Sequence, residues 1–226
     1  MEGDTLEIIA DQVRSCTLCD LCRTRTLAVP GSGNSVAPIM FVGEGPGLNE
    51  DRLGLPFVGA AGKYLDSLLE IANLKREDVF ITNVVKCRPP GNRDPLPDEI
   101  GACNGYLDRQ LALIDPTMVV TLGRFSMGKW FPGDRISQIH GQAKRFGRLT
   151  VMPMYHPAAA LRAGAVKALL EADFARLPSV AANAEKHELL NRILASLLFR
   201  PSINFACSST SAHLEARKLA QNNQSD

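Results

Sequence analysis

The chain has 226 residues, of which 45% are apolar and 22% charged, and its formal net charge is +1. This length supports one packed domain with a tail, and the balanced charge excludes a polycation that binds any polyanion. No apolar run approaches the roughly 20 residues that span a bilayer, and the acidic, amphipathic N-terminal stretch is not typical of a signal peptide, so we expect a cytoplasmic protein without a membrane segment.

Continuous apolar runs alternate with helical patterns along the first two thirds of the chain. The helical patterns cover residues 4–15, 63–72 and 97–114, and the apolar runs cover residues 37–43, 78–85, 117–123 and 149–154. Continuous apolar strands are typical of a parallel sheet that is buried on both faces. The sequence therefore predicts an α/β fold in which a parallel sheet lies between two layers of helices.

The character of the chain changes after residue 178. One further helix is predicted over residues 186–198, and the end of the chain is rich in Ser, Asn and Gln. We therefore expect a main domain over residues 1–178 and a C-terminal extension over residues 179–226 that is partly helical and then mobile. Two short basic stretches, 86–93 and 144–148, are interpreted as solvated loops.

The cysteines are clustered in a way that favours metal binding over disulfides in a cytoplasmic protein. The six are Cys16, Cys19, Cys22, Cys87, Cys103 and Cys207. Cys16 and Cys19 form a C-x-x-C pair, Cys87 follows a strand, and Cys103 lies in the next helix, so four thiolates could close a tetrahedral site. Zinc and iron–sulfur clusters both accept four cysteines, and the wide spacing of the second pair favours iron–sulfur slightly. A buried apolar role for Cys103 is the alternative.

Unusual polar residues follow the predicted strands, at the sheet edge where ligands bind in parallel α/β folds. Glu44 lies in a glycine-rich turn that fits neither a dinucleotide fingerprint nor a phosphate-binding loop. Phe57 lies on a Gly/Pro loop, where an aromatic ring can stack on a planar group. Asn83 can both donate to and accept from a base edge, and His156 precedes a helix that begins with proline, which favours a neutral imidazole. A turn glutamate, a strand-end amide and a structural histidine are the alternatives.

Several linked motifs, in this order, closely resemble the family 4 uracil-DNA glycosylases, the iron–sulfur members of their superfamily. The motifs are GEGPGLNEDRLGLPFVGAAG, NVVKCRPPGNRDP, TLGR and HPAAALR, within residues 12–175. The resemblance implies a three-layer αβα sandwich with a central four-stranded parallel sheet, a [4Fe–4S] cluster, and hydrolysis of the glycosidic bond of deoxyuridine in DNA. Uracil-containing DNA, single- or double-stranded, is the implied partner, and we expect a monomer.

The resemblance also implies roles for individual residues. The cluster ligands correspond to Cys16, Cys19, Cys87 and Cys103. Glu44 corresponds to the residue that positions water, and His156 to the catalytic histidine. Phe57 is similar to the uracil-stacking phenylalanine, Asn83 to the uracil-reading asparagine, and Arg162 ends a segment that resembles the loop entering the DNA helix.

The glycines Gly43, Gly45 and Gly47 of the first motif are expected to let the main chain approach the extruded nucleotide. Gly45 stands where many family members carry alanine, a difference that should leave the backbone path intact. Two other functions remain open at this point. One is a glycosylase for hypoxanthine or mismatched thymine, and the other is a non-catalytic iron–sulfur DNA-binding module, which would leave Glu44, Phe57, Asn83 and His156 unexplained.

Overall fold

A six-stranded mixed β-sheet forms the centre of the part of the chain that the computed structural model describes, which is residues 3–198, with side chains to residue 190. The strands are β1 (Ser32–Gly33), β2 (Ile39–Gly43), β3 (Phe80–Asn83), β4 (Met118–Leu122), β5 (Lys144–Phe146) and β6 (Leu149–Met154). Their order across the sheet is β1-β3-β2-β4-β6-β5. The neighbours from β3 to β6 pair in parallel, and the edge strands β1 and β5 pair antiparallel.

The predicted α/β class is confirmed, but the expectation of a four-stranded, wholly parallel sheet has to be corrected to six strands. The two additional strands are edge strands of two and three residues. Neither contains an apolar run, and β5 begins with Lys144 and Arg145, whose charges are common on sheet edges because they discourage pairing with other chains. Strands this short and polar do not produce the pattern by which a strand is predicted from sequence.

Helices cover both faces of the sheet. They are α1 (Leu6–Ser15), α2 (Leu48–Leu53), α3 (Ala60–Ile71), α4 (Pro97–Ile114), α5 (Arg124–Met127), α6 (Ile136–Ile139), α7 (Pro157–Ala160) and α8 (Gly164–Leu198). The predicted helix over 97–114 coincides with α4. Within residues 3–198, no helix is both long and apolar enough to cross a membrane.

The C-terminal helix α8 differs most from the sequence prediction. It begins at Gly164 and includes the helix predicted over residues 186–198, and the domain boundary predicted at residue 178 falls inside it, at Pro178. The predicted mobile end of the chain, with Cys207, lies outside the described residues.

Alternate residues of β2 belong to two different hydrophobic cores. Ile39 and Phe41 pack with α3 and α8, and the Phe41 ring stacks on Phe174 with 5.9 Å between ring centroids. Met40 and Val42 pack with α1 and α4 on the opposite face. Because the sheet is buried on both sides, β2, β3, β4 and β6 contain no charged residue. All four strands end at the same carboxyl edge, where ligands bind in folds of this kind.

The loop before α3 is packed directly against that helix. A Cβ atom at Gly62 would lie 1.9 Å from the carbonyl oxygen of Phe57, so only glycine permits this approach. Phe57 itself has a φ of 52°, a left-handed conformation that a bulky side chain adopts only when its surroundings enforce it. The packing of α3 therefore holds Phe57 in a strained conformation.

We expect Gly62→Ala to destabilise the protein by about 2 kcal/mol or more, because the methyl group would force the Phe57 loop away from α3. Gly105→Ala is the matched control, since Gly105 lies on an exposed part of α4 with no atom within 4 Å of the added Cβ. Its expected effect is a stabilisation of about 0.5–1 kcal/mol. Urea unfolding measures both changes, and equal effects at the two positions would contradict the packing argument.

Candidate active site

At the carboxyl edge of the sheet, β2 pairs in parallel with β3, and Gly43 lies opposite Asn83. The pairing continues beyond both strands, because Val84 N–H donates to the Gly43 carbonyl (3.0 Å) and Val85 N–H to the Glu44 carbonyl (3.1 Å). The backbone at Glu44 is therefore fixed. Burial raises the pKa of the Glu44 carboxyl, with a further rise from Asp94 and an opposing effect from Arg124.

Gly43, Phe57 and Asn83 meet at one point of this edge. A Cβ atom at Gly43 would lie 2.4 Å from Asn83 Oδ1 and 2.7 Å from Phe57 Cζ, so the missing side chain is what lets the amide and the ring come together. Asn83 is 1% exposed, and its Oδ1 is buried without a hydrogen-bond partner among the described residues. Buried acceptors are nearly always paired, and an unpaired one is a candidate ligand contact.

Gly45 and Gly47, the two further glycines of the turn after β2, face the protein. A Cβ at Gly45 would lie 2.7 Å from Val85 Cγ2, and one at Gly47 would lie 2.8 Å from Glu50 Oε2. These contacts explain Gly45 and Gly47 by the dense packing of the turn. Their predicted contact with a nucleotide stays a prediction.

His156 is the residue immediately before α7. Its ring stacks on Phe57 with 5.6 Å between centroids and 28° between the ring planes. The N–H of Ala158 donates to His156 Nδ1 at 3.1 Å, which leaves the proton of the neutral ring on Nε2. Burial lowers the pKa of His156 to about 4, against a smaller opposing effect of Glu50. His156 is thus a neutral hydrogen-bond donor at neutral pH.

Two charged residues that sequence reasoning missed hold the Phe57 loop. The buried Glu50 carboxylate accepts from the N–H groups of Val58 and Gly59, both at 2.8 Å. On the other side of the loop, Arg76 donates to the Pro56 carbonyl. Neither residue has a sequence signal, because a glutamate and an arginine in polar stretches are normally interpreted as solvated.

Five cysteines line one small cavity between α1, the end of β3 and α4. They are Cys16, Cys19, Cys22, Cys87 and Cys103. Burial raises the pKa of Cys87, and raises that of Cys103 to about 11. Two donors reach the sulfurs: Arg25 donates to Cys87 Sγ (2.9 Å) and the Lys86 N–H to Cys103 Sγ (3.3 Å). The sequence had given Cys22 no role, yet it lines the same cavity.

The cysteine side chains surround this cavity without converging on one point. Among residues 3–190, no three His, Cys, Asp or Glu side chains are arranged to hold a single metal ion. The four predicted ligands nevertheless line the same cavity from three distant parts of the chain, and their role as cluster ligands stays a prediction.

The basic residues near the site have different environments. Arg162 is exposed and follows α7. Arg93 forms an ion pair with Glu99 (2.6 Å) at the start of α4. Lys86 is only 1% exposed, which corrects the interpretation of residues 86–93 as a solvated basic loop.

The family to which the chain belongs follows from comparison with known proteins. Residues 30–176, more than half of the chain, match the family model described as the uracil DNA glycosylase superfamily, and the chain belongs to that superfamily. This confirms the resemblance seen in the motifs.

Its relatives include three proteins named type-4 uracil-DNA glycosylase. The one from Saccharolobus solfataricus is 50% identical over 184 residues, which cover 77% of this chain and 85% of the relative. The one from Sulfurisphaera tokodaii is 48% identical over 198 residues, covering 82% and 89%. The one from Archaeoglobus fulgidus is 46% identical over 183 residues, covering 77% and 92%.

The lowered pKa of His156 gives a pH-dependent stability. The unfolded histidine protonates near 6.5 and the folded one near 4, so the unfolded state binds more protons between these values and stability falls as the pH is lowered through them. We expect the wild type to lose about 2–3 kcal/mol more than His156→Gln between neutral pH and pH 4. Urea unfolding at both pH values measures this difference, and parallel pH profiles for the two proteins would contradict a buried neutral His156.

Proposed function

We propose that this chain is a DNA repair glycosylase that hydrolyses the N-glycosidic bond of deoxyuridine in DNA, releasing uracil and leaving an abasic site. The observation that carries the proposal is the buried, unpartnered Oδ1 of Asn83 beside the Phe57 ring. It is an acceptor held at the carboxyl edge of the sheet, next to a stacking surface and a neutral histidine. The names of the relatives support the same activity.

Base recognition follows from the chemistry of the Asn83 amide. The amide offers an acceptor and a donor side by side, and uracil presents the matching pair, an N3–H donor and an O4 acceptor. Cytosine presents the reverse pair and would leave both amide groups unpaired. A glycosylase must extrude its target nucleotide from the stack, and Phe57 supplies a face on which the extruded ring stacks.

His156 acts on the leaving group in this proposal. When the bond between C1′ and N1 breaks, its electron pair stays with uracil, which leaves as an anion. The Nε2–H of His156 donates to a uracil carbonyl oxygen and stabilises that negative charge. One preorganised donor of this kind typically contributes a factor of about 10²–10³ in rate. Because the pKa of His156 is about 4, the ring donates a hydrogen bond without itself carrying a charge.

Glu44 acts on the sugar. The departure of the base leaves positive oxocarbenium character at C1′, which a nearby carboxylate stabilises. The same carboxylate orients the water whose oxygen bonds to C1′, and the water proton passes to the carboxylate or to solvent. The raised pKa of Glu44 makes the carboxylate a better proton acceptor than an exposed glutamate.

Cys16, Cys19, Cys87 and Cys103 are the residues that would hold a [4Fe–4S] cluster. The donor set fits, because four thiols line one cavity and two of the sulfurs already accept hydrogen bonds from Arg25 and Lys86. When bound, the cluster supplies a cross-link between α1, the β3 exit and α4, since hydrolysis needs no electron transfer. Cys22 lines the cavity as a fifth thiol and is not assigned as a ligand.

We propose that the protein acts as a cytoplasmic monomer on single- or double-stranded DNA, with residues 1–178 as the glycosylase domain and residues 179–226 as an extension. In this proposal Arg162 contacts a phosphate near the extruded nucleotide and positions the DNA without reading its sequence, and the exposure of Arg162 supports this role. Gly43, Gly45 and Gly47 shape the turn that faces the nucleotide.

The first test is base release from labelled oligonucleotides that contain one uracil, one hypoxanthine or one G·T mismatch, each single- and double-stranded, followed by alkaline cleavage at abasic sites. We expect cleavage at uracil. His156→Ala should reduce the single-turnover rate by about 10²–10³-fold and Glu44→Ala should reduce it as well, while the exposed-helix variant Gly105→Ala keeps it.

The outcomes separate the parts of the proposal. Cleavage at another base would retain the chemistry and reject the uracil pocket. Full single-turnover rates in both active-site variants would reject the roles of Glu44 and His156. No base release by protein that contains the cluster would favour the non-catalytic DNA-binding module.

The cluster is tested by metal and sulfide analysis together with visible absorbance of the purified protein. We expect iron and acid-labile sulfide in equal amounts, with loss of both in Cys87→Ala and Cys103→Ala, because a cluster needs all four thiolates. Cys22→Ala is the matched control in the same cavity and should retain the cluster. Zinc without sulfide would reject the iron–sulfur assignment, and loss of the cluster in Cys22→Ala would reject the ligand set.

A further inference from the structure

Lys86 is a buried lysine whose ammonium group is enclosed by uncharged acceptors. Its Nζ donates to the Asn83 carbonyl (2.8 Å), to Gln110 Oε1 (2.7 Å) and to Thr82 Oγ1, which uses all three N–H donors. Burying a charged group costs several kcal/mol unless it is fully hydrogen-bonded or paired. Packing alone therefore does not explain why the Lys86 side chain is only 1% exposed.

The acceptors around the ammonium group are themselves fixed. Gln110 Nε2 donates to the Pro30 carbonyl at 2.7 Å, and Thr82 Oγ1 donates to the same oxygen at 3.0 Å. Gln110 and Thr82 are both buried. Because every member of this network has a partner, the position of the Lys86 Nζ is determined from several sides.

The main chain of Lys86 belongs to the cysteine cavity. Its N–H donates to Cys103 Sγ at 3.3 Å, Cys87 is the next residue, and Lys86 lines the cavity with both. Lys86 thus contacts the cysteine cavity through its backbone N–H and the main chain of Asn83 through its side chain. A single residue therefore links the cysteine cavity to Asn83.

We propose that Lys86 is a positioning residue for base recognition, which holds the main chain of Asn83 in register while Cys103 holds Lys86. The inference rests on the proposed function, since Asn83 is the residue that reads uracil there. It adds that the cysteine site contributes to base recognition as well as to folding. Small displacements of a recognition group are costly, because hydrogen bonds to the base require a defined distance and direction.

The test is the equilibrium dissociation constant of free uracil, measured by NMR titration of the full-length, cluster-containing protein. Lys86→Met removes the ammonium group but keeps an unbranched side chain, and we expect it to weaken uracil binding by about tenfold or more. A merely structural role would lower the melting temperature and the yield without changing this constant, as long as the titration is made well below the melting temperature, where nearly all of the protein is folded.

Gln110→Met is the matched control, since Gln110 belongs to the same network but, among the described residues, has no hydrogen bond to Asn83 or Cys103. We expect it to lower stability and to change the uracil dissociation constant by less than about twofold. If Lys86→Met is insoluble, Lys86→Gln keeps two N–H donors and should weaken binding in the same direction by a smaller factor.

An unchanged dissociation constant in the soluble Lys86 variant would overturn the inference, and so would equal weakening in Gln110→Met. The base-release assay separates this result from a failure of the proposed function. Uracil release by the wild type with unchanged binding in the Lys86 variant rejects only the positioning role, whereas no release by the wild type rejects the function on which it rests.

Discussion

The parallel pairing of β2 with β3 is the constraint on which the candidate site depends. It places Gly43 opposite Asn83, so that a position without a side chain lies beside the amide that would read the base. Strand register has a period of two residues, and a slip of one residue would turn Asn83 to the other face of the sheet. The hydrogen bonds that continue from Gly43 and Glu44 to Val84 and Val85 prevent such a slip, because they extend the pairing into the loops.

Burial gives each functional group at this edge a different chemical state. It keeps His156 neutral, makes the Glu44 carboxylate more basic, and raises the pKa of the Cys87 and Cys103 thiols. In the proposed mechanism, the same physical effect prepares a donor for the leaving base and an acceptor for the water proton. Its cause is the burial of these groups beside a sheet that is covered by helices on both faces.

The sequence was sufficient for the regular elements that carry a long pattern. Helix α4 has an N-terminal proline, two acids in its first turn and a regular apolar face, and its predicted bounds agree with the structure. The edge strands β1 and β5 were missed because two or three polar residues carry no periodic signal. The early start of α8 was missed because its apolar residues do not form one sustained stripe along the helix.

The candidate site was predictable where its residues belong to recognisable motifs, and the structure brings Gly43, Phe57, Asn83 and His156 together as neighbours. Glu50 and Lys86 could not be found in this way. Charged residues are normally solvated, and nothing in a local sequence distinguishes the few whose burial is made possible by partners from distant segments, such as the loop of Phe57 or helix α4.

The strained backbone at Phe57 has a kinetic consequence. The left-handed conformation of Phe57 and the amides held by Glu50 fix the Phe57 ring when the chain folds. Ordering this loop therefore adds no cost to ligand binding. An extruded base stays outside the helix only briefly. If Phe57 stacks on the base as proposed, a rigid pocket can retain the base within that interval, because no slower rearrangement of the protein has to follow.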